Sequence, residues 1–203
     1  RREPHDARRA LEEPAPERSD GPAPTDTVEV LHDRIREVVL AHLPAERARE
    51  LHRALASAFE QWASADREAL YWHCLHAGEP LRASHYARLA AEDAAAQYAF
   101  ERAIRLYEAA FELDPKLETS ASTQRALGEC LRYAGHAARA ASAYLAAARV
   151  TGFDEALDLR RLAALQLLSS GHLQAGEAEI ARLLPEVGLS YPRSTAHAIA
   201  GLV

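Results

Sequence analysis

From Asp33 onward apolar positions recur every three or four residues, the spacing that gathers them on one face of an α-helix. Pro and Gly stand where such helices begin and end. The pattern predicts an all-α fold of eight or nine helices. The first runs from about Asp33 to Leu43. Pro44 starts a second, in which Leu51, Leu55, Phe59 and Trp62 form an apolar stripe opposite a face of Glu and Arg. A third spans about Asp66 to Ala77 and stops at Gly78. Pro80 opens a fourth that ends near Gln97, and a fifth runs from Phe100 to just before Asp114-Pro115.

The pattern also repeats at a longer period. Leu127-Gly128, Leu131, Gly135, Ala140, Tyr144 and Ala147 stand where two paired helices need a small residue, a large one, a turn glycine, a small contact, an aromatic and another small contact. The same register returns 36 residues later as Ala164, Leu167, Gly171, Gly176, Ile180 and Leu183. It also occurs 37 residues earlier as Ala103, Tyr107 and Ala110, followed by Asp114-Pro115, with Tyr98 at the place of the turn glycine. A period near 34 residues marks stacked helix pairs that cannot bury their faces singly. Over about Ser84 to Gly188 these residues resemble the tetratricopeptide repeat. The resemblance implies an antiparallel helix-pair solenoid; the plainer alternative is an irregular helical bundle.

The flanks differ. Residues 1–27 carry Pro4, Pro14, Pro16, Pro22 and Pro24 among charged and small residues, too little apolar surface to offset ordering entropy. They are expected to form a disordered linker, with at most a short helix around Ala7 to Glu13. Val28 to Leu31 alternates in strand fashion and reads as a remnant strand that pairs only with a strand from elsewhere. The expected division is 1–27 linker, 28–43 winged-helix remnant and first helix, 44–83 helical hairpins, 84–188 repeats, and 189–203 the start of a further helix.

Composition narrows the function classes. Apolar residues make up 48% of the 203-residue chain and aromatics only 6%, so the core is built of Ala and Leu, as closely approaching helices require. The net charge of −6, with acids and bases interleaved along the helices, argues against nucleic acid as a partner. No stretch approaches the roughly 18 apolar residues of a membrane span. Cys74 and Cys130 are expected to be small buried thiols of a cytoplasmic protein. The chain lacks Met and Asn and has one lysine, Lys116, which points to a fragment or processed product from a GC-rich bacterial genome.

Val30-Leu31-His32-Asp33-Arg34-Ile35-Arg36-Glu37, followed by Leu51-His52, resembles the stretch that closes the winged helix and opens the helical arm of signal-transduction ATPases with numerous domains. Trp72-His73 to Leu89-Ala90, with the Ala77-Gly78-Glu79-Pro80 turn, is similar to the helices that follow. In several bacterial regulators of that class a serine/threonine kinase domain precedes the ATPase module. The resemblance implies that His32, supported by Asp33, approaches the β-phosphate of ADP in the parent protein, so ATP or ADP is a ligand there; local capping of the first helix is the competing role. The chain itself holds no nucleotide machinery. Lys116 follows a proline rather than a glycine-rich loop, and no His-Arg-Asp or Asp-Phe-Gly triplet occurs.

Other sites are weaker. His73 and His76 share a helical face near Cys74 and His85, but without a carboxylate or second thiol at matching spacing no metal is assigned. No nucleophile stands on a recognisable elbow, so no catalytic residue is assigned. If the pairs stack, their first helices present Arg88, Glu92, Arg125, Glu129, Arg132 and Arg161 along a groove, where arginines clamp carboxylates of a protein, a peptide or another domain of the same chain. The alternative is a solvated face with intrahelical ion pairs. These features lead us to expect a non-catalytic interaction or sensor arm of a multidomain signalling ATPase. Its rivals are the effector-sensing region of a transcription regulator and a free-standing adaptor, the latter disfavoured because Ser194 to Val203 begins another apolar helix.

Overall fold

The computed structural model describes residues 33–62 and 65–189. The chain divides into two compact units, Arg1–His42 and Leu43–Val203. Of the first, the described part is α1 (Asp33–His42). The expected arm over 1–27, the strand over Val28 to Leu31 and the further helix over Ser194 to Val203 lie outside the described residues.

The second unit contains α2 (Ala45–Phe59), α3 (Arg67–His76), α4 (Pro80–Ala96), α5 (Phe100–Leu113), α6 (Ala121–Tyr133), α7 (Ala137–Ala148), α8 (Phe153–Ser169) and α9 (Leu173–Leu183). A 3-10 turn, Pro115–Thr119, joins α5 to α6, and another, Leu184–Val187, follows α9. No strand occurs among the described residues. Every helix from α2 to α9 packs against its neighbours in the chain, and α4 also reaches α6. Residue 84 lies inside α4, which the chain enters after reversing at Gly78.

Four connections share one geometry. α3 to α4, α4 to α5, α6 to α7 and α8 to α9 are each joined by three residues, the middle one left-handed: Gly78 (φ 76°), Tyr98 (φ 60°), Gly135 (φ 86°) and Gly171 (φ 82°). In each, the following N–H donates to the carbonyl five residues back: Glu79 to Cys74 at 3.0 Å, Ala99 to Ala94 at 2.9 Å, His136 to Leu131 at 2.8 Å and His172 to Leu167 at 2.9 Å. This is the Schellman closure, which satisfies carbonyls left over at the helix end. The register expected a glycine at 98. Tyr98 takes the same backbone conformation, its ring left 81% exposed in edge contact with Phe100.

Five residues past each left-handed position stands a small residue, Ala83, Ala103, Ala140 or Gly176, and all four are buried. There the second helix crosses the first. Gly128 shows how tight such a crossing is, since a Cβ on it would lie 2.7 Å from Cε1 of Tyr144, a fully buried ring. One continuous core runs from Ala90 in α4 through Tyr107, Leu131 and Tyr144 to Ala163 in α8. A separate cluster, Ala56, Leu70, Cys74 and Ala83, sits between α2, α3 and α4, with Tyr71 packed against both.

One expectation is corrected. On α2 it is Ala56 that is fully buried, with Phe59 packed beside it, whereas Leu51, Leu55 and Trp62 of the anticipated stripe are 40–56% exposed. The small residue makes the close crossing onto α3, and the larger ones flank it. Polar side-chain contacts span successive pairs at roughly the repeat distance: Arg102 pairs with Glu68, Arg139 pairs with Glu108, and Nε2 of His136 lies 2.9 Å from a Glu101 carboxylate oxygen.

Two substitutions test this account by urea or thermal unfolding. Tyr98→Gly removes the cost of a left-handed side-chain-bearing residue and is expected to stabilise by about 0.5–1 kcal/mol, net of the entropy glycine adds to the unfolded chain. Gly128→Ala forces a methyl into the Tyr144 ring and is expected to destabilise by about 1–2 kcal/mol despite alanine's higher helix propensity.

Candidate functional site

The six residues expected along a groove fall on α4, α6 and α8, the helices that enter the turns at Tyr98, Gly135 and Gly171. Arg88, Arg125 and Arg161 stand 37 and 36 residues apart and so occupy one place in each pair; Glu92 and Glu129 hold the neighbouring place, where α8 has Leu165. Arg125 and Glu129 line a shallow concavity on α6 together with Ser122 and Glu155 of α8. Arg161 lines a different groove, with Leu157, Asp158 and Leu165 of α8 and residues of α9.

Each of these arginines already holds a carboxylate. Arg88 pairs with Glu92, Arg132 with Glu129 at 2.8 Å, and Arg161 with Asp158 at 3.4 Å, all within one helix. Arg125 reaches across to Glu155 of α8 at 3.3 Å. Exposed pairs of this kind are worth only about 0–1 kcal/mol, so a partner's carboxylate can exchange with them. Arg132 differs from the rest. Its guanidinium lies 4.0 Å over the Tyr133 ring, Glu129 holds it firmly protonated, and its Nε is buried without a hydrogen-bond partner, as is the hydroxyl of Tyr144. Tyr133 in turn stacks on Phe100, ring centroids 4.9 Å apart at 17°. This exposed aromatic step beside the turns is absent from the sequence expectation.

A second constellation joins α2 to α3. His73 and His76 lie one turn apart, as their spacing requires, and the fold adds His52 from α2. Nδ1 of His52 and Nδ1 of His73 are 2.9 Å apart, so one ring donates and the other accepts. His76 sits 5.2 Å from His52 and 4.0 Å from the Trp72 ring, with its own Nδ1 2.8 Å from the Trp72 carbonyl. Phe59 stacks on His73 at 5.4 Å. Burial first, and the neighbouring rings second, lower the pKa of both His52 and His73. Among the described residues no set of three or more His, Cys, Asp or Glu converges as a metal site requires. His85 contacts Tyr86 instead.

The remaining candidates are quickly placed. Cys74 and Cys130 are free and buried, and burial pushes the Cys130 thiol up to about 11, far from reactive thiolate. Lys116 is exposed in the 3-10 turn after α5, where Asp114 accepts its backbone N–H at 3.1 Å. His32 lies outside the described residues, and Asp33 opens α1. No helix among the described residues is long and apolar enough to cross a membrane. No protein-family model matches the chain, and a search of curated proteins finds no match.

The histidine pair carries a pH prediction. Both folded pKa values lie below the ordinary 6.5, so the unfolded chain binds protons more readily. Their contribution to stability is therefore present above about pH 6.5 and is lost as pH falls through that value towards the folded pKa. Urea midpoints measured at about pH 7.5 and pH 5.5 are expected to fall in the acid sample, and His52→Gln is expected to shrink that difference by removing the shared proton.

Proposed function

We propose that this chain is a non-catalytic interaction arm, a tetratricopeptide-like solenoid belonging to a multidomain bacterial signalling ATPase linked to a serine/threonine kinase. The observation that carries the scaffold half of this reading is the recurrence of one turn geometry and one small-residue crossing in successive helix pairs. Units that repeat in this way bury their faces only against each other, and they display matching positions along one side. Arg88, Arg125 and Arg161 are such a set.

The partner that fits is a protein or peptide bearing carboxylates, supplied by another molecule or by another domain of the same polypeptide. Planar guanidinium groups at a regular interval match acidic side chains, and their present pairs are weak enough to be exchanged. The ATPase half rests on the resemblance of Val30 to Glu37 and of the Trp72 to Ala90 helices to the arm of that class. Under it His32 senses the ADP phosphates and the arm reports the nucleotide state to a partner.

Calorimetric titration tests the assignment. This chain alone is expected to bind neither ADP nor ATP, whereas the parent extended upstream through its ATPase module binds ADP. There His32→Ala is expected to weaken affinity by about tenfold, the loss of one hydrogen bond to a charged oxygen. Absence of nucleotide binding by the extended protein removes the ATPase assignment and leaves the scaffold.

A further inference from the structure

Of the four turns that need a left-handed residue, three take glycine, at Gly78, Gly135 and Gly171. The fourth holds Tyr98 at φ 60°, a conformation that a side chain makes costly. The packing does little to offset that cost. Tyr98 is 81% exposed, and its N–H makes only the turn bond to the Ala95 carbonyl, at 2.9 Å, that any residue there makes. Among the described residues its aromatic neighbour is Phe100, edge-on with ring centroids 6.1 Å apart. A bulky ring held in a strained backbone and left in solvent points to a use outside the chain.

Two further rings continue from it onto the next pair. Phe100 opens α5 and packs against the main core; Tyr133 ends α6 and stacks on Phe100 at 4.9 Å and 17°. Tyr133 is itself 59% exposed. Tyr98 stands at 84° to Phe100, so the three rings form an angular step rather than a flat patch, anchored to the core by Phe100. The charges beside it are one of each sign. Arg132 lies 4.0 Å over the Tyr133 ring, and Glu101, next to Phe100, stands 2.9 Å from Nε2 of His136. A nucleotide would bring phosphate towards Glu101 in a chain of net charge −6. A cationic side chain would meet Arg132 already seated on Tyr133. The step therefore suits an uncharged ligand with a rigid ring of its own.

We propose that Tyr98, Phe100 and Tyr133 form a docking site for an extended, proline-bearing segment of a partner protein, with one proline ring lying on Tyr98 in the corner it makes with Phe100. Proline is the residue that combines a rigid ring with no charge. A run of prolines also keeps an extended left-handed helix whose carbonyls have no internal partner, and the hydroxyls of Tyr98 and Tyr133 are donors for them. Because that helix is already formed before it binds, little ordering entropy opposes docking on an open surface. This site goes beyond the arginine line: its ligand needs no carboxylate, and either surface can fail without the other.

NMR titration of the whole 203-residue chain with a proline decamer, its ends blocked, tests the proposal. Saturable shifts are expected at the amides of Tyr98, Phe100 and Tyr133. Tyr98→Gly is the decisive variant, because it is expected to fold more stably than the parent sequence and yet to bind the decamer about tenfold more weakly. Tyr98→Phe, which keeps the ring and removes the hydroxyl, is expected to weaken binding about threefold. Trp62→Leu, which removes another exposed aromatic, is expected to leave affinity unchanged. Absence of saturable binding, or unchanged affinity in Tyr98→Gly, overturns the proposal. So does equal or tighter binding of a blocked glutamate or arginine decamer at the same amides, because the ligand is then a charged one. Ala15 and Ala23 each stand between two prolines of the chain itself. Shifts of their amides in Tyr98→Gly without any peptide also overturn the assignment to a partner, since the occupant is then the chain's own arm.

Discussion

A helix that must reverse within three residues has few ways to do so. One residue has to leave the right-handed region, and the carbonyls of the last turn have to find donors as it does. Four connections here meet both conditions identically, through the left-handed residues at 78, 98, 135 and 171. The rest of the architecture follows from that constraint. A fixed turn fixes the place at which the second helix first passes close to the first, and that place, five residues on, holds Ala or Gly each time. Large residues in between fill the space that the crossing leaves, Tyr107 and Tyr144 most completely.

Much of this was legible in the chain because glycine and alanine speak locally. Gly135 and Gly171 announced their turns through backbone need alone, and the small and large positions followed by counting. Tyr98 was marked as an anomaly and proves to obey the geometry rather than depart from it: the turn selects a conformation, and glycine is only its easiest occupant. The Gly78 turn reads as a helix stop but not as a member of the set, because Ala87 stands where Tyr107, Tyr144 and Ile180 signal the others. The stripe on α2 misled for a related reason. Periodicity identifies the apolar side of a helix, yet which residue on that side makes the close contact depends on the crossing, and a crossing favours Ala56 over Leu51 or Leu55.

The candidate sites were legible only in part. His73 and His76 share a face by spacing, but His52 lies 21 residues before His73 on another helix, and no local pattern links them. The Phe100–Tyr133 stack has the same character. The arginines were found because they repeat with the pairs, while their acidic partners were not: Glu155 meets Arg125 only once α8 is placed against α6 and α7. The result is a line of arginines each already paired with a carboxylate. On the interaction role proposed above, binding would be an exchange of partners, which favours ligands that present several carboxylates at the interval of the arginines over ligands that present one.

Among the described residues Tyr71 packs against both cores, and α4 contributes to each. Cohesion is therefore not shared evenly along the chain. The main core passes unbroken through α4 to α8, so no helix in it can leave without opening a void in its neighbours. α2 closes a smaller cluster, and its hold on α3 is reinforced by a pair of imidazoles sharing one proton. The end of the unit that begins with α2 therefore has fewer buried apolar neighbours to lose on opening than the helices of the main core.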